Sequence, residues 1–278
     1  MSEQPVSVDR KRQMMATFDG IAAQYDVLRF VQICARRLLE LAELPPGAHV
    51  LDVGTGTGLL AMTAGELVGP TGRVVGVDLS PVMVAAARQK LTAAGIPQVE
   101  FLQGDAEHLD LPDGTFDTVF FASSLFFVPD MSAALREAGR LLAPGGCVAF
   151  TGFGESFFHP LRELWEERLR QHHLPTANPP IQRLADPAVC RHLLSEAGFV
   201  QVSVQSEQIG YYLPGAEQRW HEIAAGLEGL PLKNLPAELR EQIHFEHMAE
   251  LAAFTTPQGL WIDVPTHFAL GRKSGAHP

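Results

Sequence analysis

The stretch Val50-Leu51-Asp52-Val53-Gly54-Thr55-Gly56-Thr57-Gly58 constrains this chain more than any other. His49 to Val53 is a short apolar strand. It runs into three alternating glycines, and a helical pattern from about Leu59 to Val68 begins directly after them. Glycine lets a backbone turn sharply and come close to a ligand. The free N–H groups that open the next helix offer donors to that ligand. Strand, glycine turn and helix therefore predict the first unit of an open α/β sheet, with a ligand beyond the carboxyl ends of its strands.

The same alternation continues. Arg73 to Asp78 is a valine-rich second strand, as a buried parallel strand should be. Ser80-Pro81 starts a helix that reaches about Ala94, and Gly95 ends it. Val99 to Gln103 and Thr115 to Ala122 are the third and fourth strands. Asp130 caps a helix that reaches Leu142, Ala143-Pro144-Gly145-Gly146 stops it, and Cys147 to Phe153 is the fifth strand. The pattern predicts a Rossmann-like α/β fold, its mostly parallel sheet covered by helices on both faces.

Residues before Leu44 read as one or two amphipathic helices, so 1–43 are expected to form part of a lid. Residues 44–278 are then the main domain, with cap insertions at about 155–185 and 214–258. Between the insertions, Asp186 to Ala197 is helical and Val200 to Leu213 is a strand. Leu260 to Gly271 is a last strand.

Asp78 ends the second strand, 20 residues after Gly58. A carboxylate there accepts hydrogen bonds from both ribose hydroxyls, as in proteins that bind NAD or S-adenosylmethionine (SAM). Three features favour SAM. Asp52 suits a ligand with an ammonium group and would repel a pyrophosphate. The pattern is GxGxG, and Leu59 stands where the third glycine of the dinucleotide fingerprint would fall. Gly104-Asp105-Ala106 follows the third strand, where Asp105 can accept from an adenine amino group and the Ala106 N–H can reach a ring nitrogen.

These segments resemble the class I SAM-dependent methyltransferases, and among them the ubiquinone/menaquinone-biosynthesis type. The resemblance rests on Phe18-Asp19 to Tyr25-Asp26, VLDVGTGTG at 50–58, VVGVDLSPVMV at 74–84, GDAEHLDLPDGTFDTVF at 104–120 and LLAPGG at 141–146. It implies a seven-stranded sheet with the last strand antiparallel. It implies Asp52 and Gly54, Thr55, Gly56 and Gly58 at the methionine end and Asp78 at the ribose. Leu79 and Met83 would pack on adenine, and Asp105 and Ala106 would bind its edge. Tyr25 would close over the methionine carboxylate, and Ser123 would lie near the transferring methyl. Where many such enzymes carry histidines, this chain has Phe126 and Phe127, which removes a histidine base from that spot.

The acceptor is expected to be a small, apolar or aromatic molecule, attacked by in-line displacement. Phe126, Phe153 and His159 are the first candidates to bind it, followed by Glu155, Phe157, Phe158, Trp165, Tyr211, Tyr212, Trp220 and His221. His172, His173, His244 and His247 are expected on solvated helix faces. No third ligand joins His244 and His247, so no metal is expected. The net charge of −11 argues against a nucleic-acid partner, and Arg10-Lys11-Arg12 reads as a solvated tail. Three widely spaced cysteines fit a reducing cytoplasm. No signal peptide or membrane span is expected. Two alternatives stay open: a SAM-binding protein without methyl transfer, which would carry the same motifs, and an NAD-dependent oxidoreductase, which would need the missing glycine.

Overall fold

The computed structural model describes residues 4–176 and 179–275. Residues 1–3, 177–178 and 276–278, from the N-terminal segment, the first insertion and the C-terminus, lie outside the described residues. Helix α1 spans Gln4–Asp19, a 3-10 turn follows at Ala22–Val27, and α2 spans Arg29–Ala42. The repeating core is β1 (His49–Val53), α3 (Leu59–Val68), β2 (Arg73–Asp78), α4 (Pro81–Ala94), β3 (Val99–Gln103), β4 (Phe116–Phe121), α5 (Met131–Leu141) and β5 (Leu142–Phe153). Then come α6 (Leu161–Gln171), α7 (Pro187–Glu196), β6 (Val200–Gln208), β7 (Tyr211–Leu213), α8 (Ala216–Ala225) and α9 (Ala237–Ala252). Strands β8 (Thr255–Thr256), β9 (Gly259–Ile262) and β10 (Pro265–Arg272) close the chain.

Seven strands form one sheet in the order β3-β2-β1-β4-β5-β10-β6. Pairing is parallel from β3 to β5, and β10 runs antiparallel to both neighbours. The strand period of two splits the buried side chains between two faces. Leu51, Val53, Val75, Val119 and Phe121 pack into one core cluster, and Val50, Val74, Phe120, Ala149 and Phe268 into the other. Helix α2 buries the one-sided stripe Cys34, Ala35, Leu38 and Leu39. Among the described residues, no helix is long and apolar enough to cross a membrane.

Two expected strands divide. Val200–Leu213 breaks into β6 and β7, and Leu260–Gly271 into β9 and β10. The breaks face each other. Gln208 ties them, because its Oε1 accepts from the N–H groups of Gly210 and Val264, both at 2.9 Å. A Cβ at Gly210 would sit 2.4 Å from the Trp261 ring, so the close crossing requires glycine. Beyond the bend, β7 and β9 leave the main sheet and pair with β8 in a small three-stranded sheet.

The cap helices α6, α8 and α9, with the 3-10 segment Leu227–Leu232, carry a satellite core of Trp165, Leu169, Ile223, Leu232 and Ile243. This core corrects the expectation for the histidines. His247 is buried against the Trp165 ring, with Nδ1 2.9 Å from Glu250. His244 is half-buried beside Trp220, and His172 is half-buried 2.6 Å from Glu246; His173 is exposed. Helical spacing puts His244 and His247 on one side of α9, and the partner helices α6 and α8 cover that side.

Leu51 is fully buried at the sheet centre, paired with Val75 and Val119. Leu51→Ala should cost about 2–5 kcal/mol of stability. Urea unfolding measures it, and a loss near zero would place Leu51 outside the core.

Candidate functional site

The glycine turn is held from below by β2. The N–H groups of Gly54 and Thr55 both donate to the Val77 carbonyl, at 2.8 and 2.9 Å. Gly54 has φ of 71°, and a Cβ there would lie 2.5 Å from Ser124 Cβ. The loops after β1 and β4 thus meet at a place with no room for a side chain. Gly58 serves the fold instead. A Cβ there would strike Phe101 at 2.5 Å, and the residue starts α3 with φ of 85°.

Asp78 receives the Gly56 N–H at 2.8 Å and the Ser80 N–H at 2.9 Å, one on each oxygen. Burial pushes its carboxyl pKa up. Each oxygen keeps lone-pair capacity toward the cavity that it lines. Ser80 caps α4 by accepting from the Met83 N–H at 3.0 Å, and so positions Met83.

Asp52 is almost wholly buried on β1. Oδ2 accepts from the Thr55 hydroxyl at 2.7 Å, while Oδ1 has no partner. Burial, with the Asp78 charge nearby, pushes this carboxyl up to about 7. A buried carboxylate with a free oxygen is costly unless a donor or cation answers it. A ligand ammonium is such a partner, so the residues present fit the methionine end of SAM.

The main cavity is lined by Tyr25, Gly54, Gly56, Asp78, Leu79, Met83, Asp105, Ala106 and Ser123, all expected from the sequence. A smaller adjoining cavity adds Asp52 and Thr55 and shares Tyr25, Gly54 and Gly56. Ser123 adopts φ of 53°, rare for a residue with a side chain, and its N–H donates to Thr151 Oγ1 at 2.7 Å.

The expectation of a lid at 1–43 named none of the α1 side chains that reach the site: Lys11, Met14, Met15 and Phe18 all line the main cavity. Lys11 donates to Asp105 at 2.7 Å and to Glu107 at 2.5 Å, so the expected solvated tail is a helix on which Lys11 packs while Arg10 and Arg12 stay exposed. Both Asp105 oxygens are therefore engaged, Oδ2 by Lys11 and Oδ1 by the Glu107 N–H at 3.1 Å. Two further ties hold the segment down. Ser80 donates to Asp19 at 2.5 Å, and Asp26 accepts from Thr57 at 2.5 Å and Lys90 at 2.6 Å. The second tie sets Tyr25 beside Gly56, where its ring would be 3.6 Å from an added Cβ.

A second, mostly aromatic cavity adjoins the first. It shares Phe18, Tyr25, Ser123 and Phe127, and adds Phe126, Phe153, Phe157, Phe158 and Trp165. The rings pack edge-on and stacked, with centroids 3.9 to 5.7 Å apart from Phe126 through Phe153 and Phe157 to Phe158. His159 lies outside these cavity walls, exposed, with Nδ1 3.3 Å from Glu163. Glu155 is exposed as well. Trp220 packs on Trp165, and His221 and Tyr212 face outward. Among the described residues, no group of three or more His, Cys, Asp or Glu could hold a metal ion.

Comparison with known proteins agrees with this geometry. Residues 50–146 match the family model described as a methyltransferase domain. The chain is 33% identical over 215 residues to nocamycin O-methyltransferase of Saccharothrix syringae, covering 72% of this chain and 77% of that enzyme. It is 34% identical over 171 residues to the ubiquinone/menaquinone biosynthesis C-methyltransferase of Cronobacter sakazakii, covering 59% of this chain and 68% of that one. The crystal structure of a SAM dependent methyltransferase from Aquifex aeolicus superposes with a TM-score of 0.56 at 18% identity, over 92% of this chain and 98% of the other. At that identity the likeness speaks for the fold alone. The glycine turn, the two carboxylates and the relatives converge: the chain belongs to the class I SAM-dependent methyltransferases and uses SAM as its methyl donor.

Proposed function

We propose that this enzyme methylates a small, apolar, aromatic acceptor held in the second cavity. The observation that carries the proposal is the wall of Phe18, Tyr25, Ser123 and Phe127, which the main cavity and the aromatic one share. Asp52 and the loop Gly54, Thr55 and Gly56 hold the methionine end, with Tyr25 closing over it; Gly58, packed on Phe101 and outside both cavity walls, is left out. Asp78 accepts from the ribose hydroxyls. Leu79 and Met83 flank the adenine, and Asp105 and Ala106 bind its edge. Ser123 lies near the transferring methyl. Phe126 and Phe153 wall the acceptor; His159, exposed beside Glu163, is left out. Residues 1–43 act as a lid on the methyltransferase domain of 44–278, whose insertions at about 155–185 and 214–258 cap the acceptor. The ties of Lys11, Asp19 and Asp26 to the domain support that role for the lid.

SAM, when bound, supplies a methyl group on a sulfonium, whose departure as a neutral thioether needs no acid. The chain's contribution is to align the two reactants and keep water out. The aromatic walls offer no base at Phe126 and Phe127, so the acceptor's own acidity or another polar group must account for any proton. The two relatives named above are an O- and a C-methyltransferase, one of them of quinone biosynthesis, and these names support an apolar acceptor while leaving the attacked atom open. A net charge of −11 favours a small molecule over nucleic acid. Three buried free thiols, Cys34, Cys147 and Cys190, favour a cytoplasmic location.

Labelled methyl from SAM should appear on members of a panel of hydroxynaphthalenes, naphthoquinols and larger fused-ring phenols. Phe126→Leu should raise the acceptor KM about three- to tenfold and leave S-adenosylhomocysteine affinity unchanged. Label passing to protein or RNA, and to no aromatic compound, would sink the proposal.

The Asp52 carboxyl gives a pH test. In the ligand-free protein its ionisation opposes folding: the cost is absent below the ordinary carboxylate range and complete above about 7. A ligand ammonium needs the ionised form. S-adenosylhomocysteine should therefore bind roughly tenfold more weakly at pH 6 than at pH 8. Calorimetric titration should show that Asp52→Asn binds weakly at both. A wild-type affinity that is flat across this range would remove Asp52 from the ammonium site.

A further inference from the structure

One wall of the aromatic cavity is charged. Arg219 and Glu222, one helical turn apart on α8, both line it, and both are almost wholly buried. Arg219 lays its guanidinium over the Phe158 ring, 4.6 Å from the centroid, and gives Nη2 to both oxygens of Glu228 at 2.7 Å. Glu222 accepts from the Tyr211 hydroxyl through Oε1 at 2.9 Å.

Each of the two keeps one buried atom without a partner: Nε of Arg219, a donor, and Oε2 of Glu222, an acceptor. They do not satisfy each other. Arg219 Nη1 stops 3.9 Å from Glu222 Oε2, beyond hydrogen-bond distance. A pair built only to brace the cap would close to contact, because an unmatched buried charge is expensive. This pair instead leaves a donor and an acceptor unmatched on the wall of a mostly aromatic chamber, whose other charged residues are Arg162, Glu166 and Glu228.

We infer that Arg219 and Glu222 recognise a hydroxyl group on the methyl acceptor, a phenol or enol that donates to Glu222 Oε2 and accepts from Arg219. The inference rests on the second cavity being the acceptor site. Charge selects the group. A carboxylate on the acceptor would face Glu222 and Glu228, and an ammonium would face Arg219. A hydroxyl both donates and accepts, so it answers both unpaired atoms at once. The rings along the chamber then carry the apolar body of the molecule, and the α8 pair fixes which edge of it enters. A site that hydrogen-bonds a substrate hydroxyl rejects the analogue lacking it, because its own polar groups would stay buried and unpaired.

The test uses the full chain saturated with S-adenosylhomocysteine and two probes of one shape, 2-naphthol and naphthalene, measured by equilibrium dialysis. The wild type should bind 2-naphthol about tenfold or more tightly than naphthalene. Glu222→Leu combined with Tyr211→Phe removes the acceptor together with the hydroxyl that it would strand, and should bring the two affinities together. Binding of S-adenosylhomocysteine reports that this variant is folded. If it is not folded, Glu222→Gln provides the same comparison and should at least halve the preference, since a neutral amide bonds a hydroxyl more weakly than a carboxylate does. Equal wild-type affinities, or a preference that survives the substitutions, would overturn the hydroxyl assignment while the aromatic acceptor site stands. Binding of neither probe would overturn both.

Discussion

The packing of Gly54 against Ser124 is the constraint from which the rest of the site follows. Two N–H groups reach one carbonyl on β2, and a missing side chain lets the loop after β4 approach within 2.5 Å of where a Cβ would stand. That approach brings Ser123, in its left-handed conformation, to the boundary of the two cavities. The strand ends converge there because β1 lies between β2 and β4, as the sheet order requires. A parallel sheet gathers the loops after its strands on one edge, and ligands bind there. The chemistry is thus located by backbone contacts before any catalytic side chain is considered.

The electrostatics of the site follow the same logic. Asp52 and Asp78 are carboxylates on neighbouring strands, paired through Asp52 and Gly76 in the register. Burial raises the pKa of both. Such an arrangement opposes folding in isolation and is relieved by a ligand with donors and a positive charge. The N-terminal segment then closes the space by polar ties from Lys11, Asp19 and Asp26 and by the ring contact of Phe18 with Phe127, 5.0 Å between centroids. These contacts are part-exposed, so each is worth little alone. Together they support the lid proposed for this segment.

The core was legible from the sequence because its signals are local. Caps, glycine stops and valine runs named β1 to β4 within a residue at each end. Helices α3, α4 and α7 were equally plain. The divided strands were not, since the Gln208 clasp joins residues 56 apart and alternation continues across the bend. On the proposed cofactor side, the residues that motif spacing named line two adjoining cavities, Gly58 excepted. The part played by Lys11 was hidden, because Arg10-Lys11-Arg12 reads as solvated, and only Lys11, its neighbours being exposed, turns to Asp105 and Glu107. On α8 the aromatic signal drew attention to Trp220 and His221, whereas the residues on the chamber wall are Arg219 and Glu222. An Arg and a Glu three positions apart are the commonest pattern of an exposed helix, and tertiary packing alone turned that pair inward.

The central claim is that the two cavities meet where the methyl group crosses. Inter-ligand nuclear Overhauser measurement on the protein with S-adenosylhomocysteine and 2-naphthol bound together tests it most directly. Cross-peaks are expected between the protons beside the homocysteine sulfur and the naphthol ring protons. Both compounds bound with no such contact would contradict it, and would separate the aromatic cavity from the methyl donor.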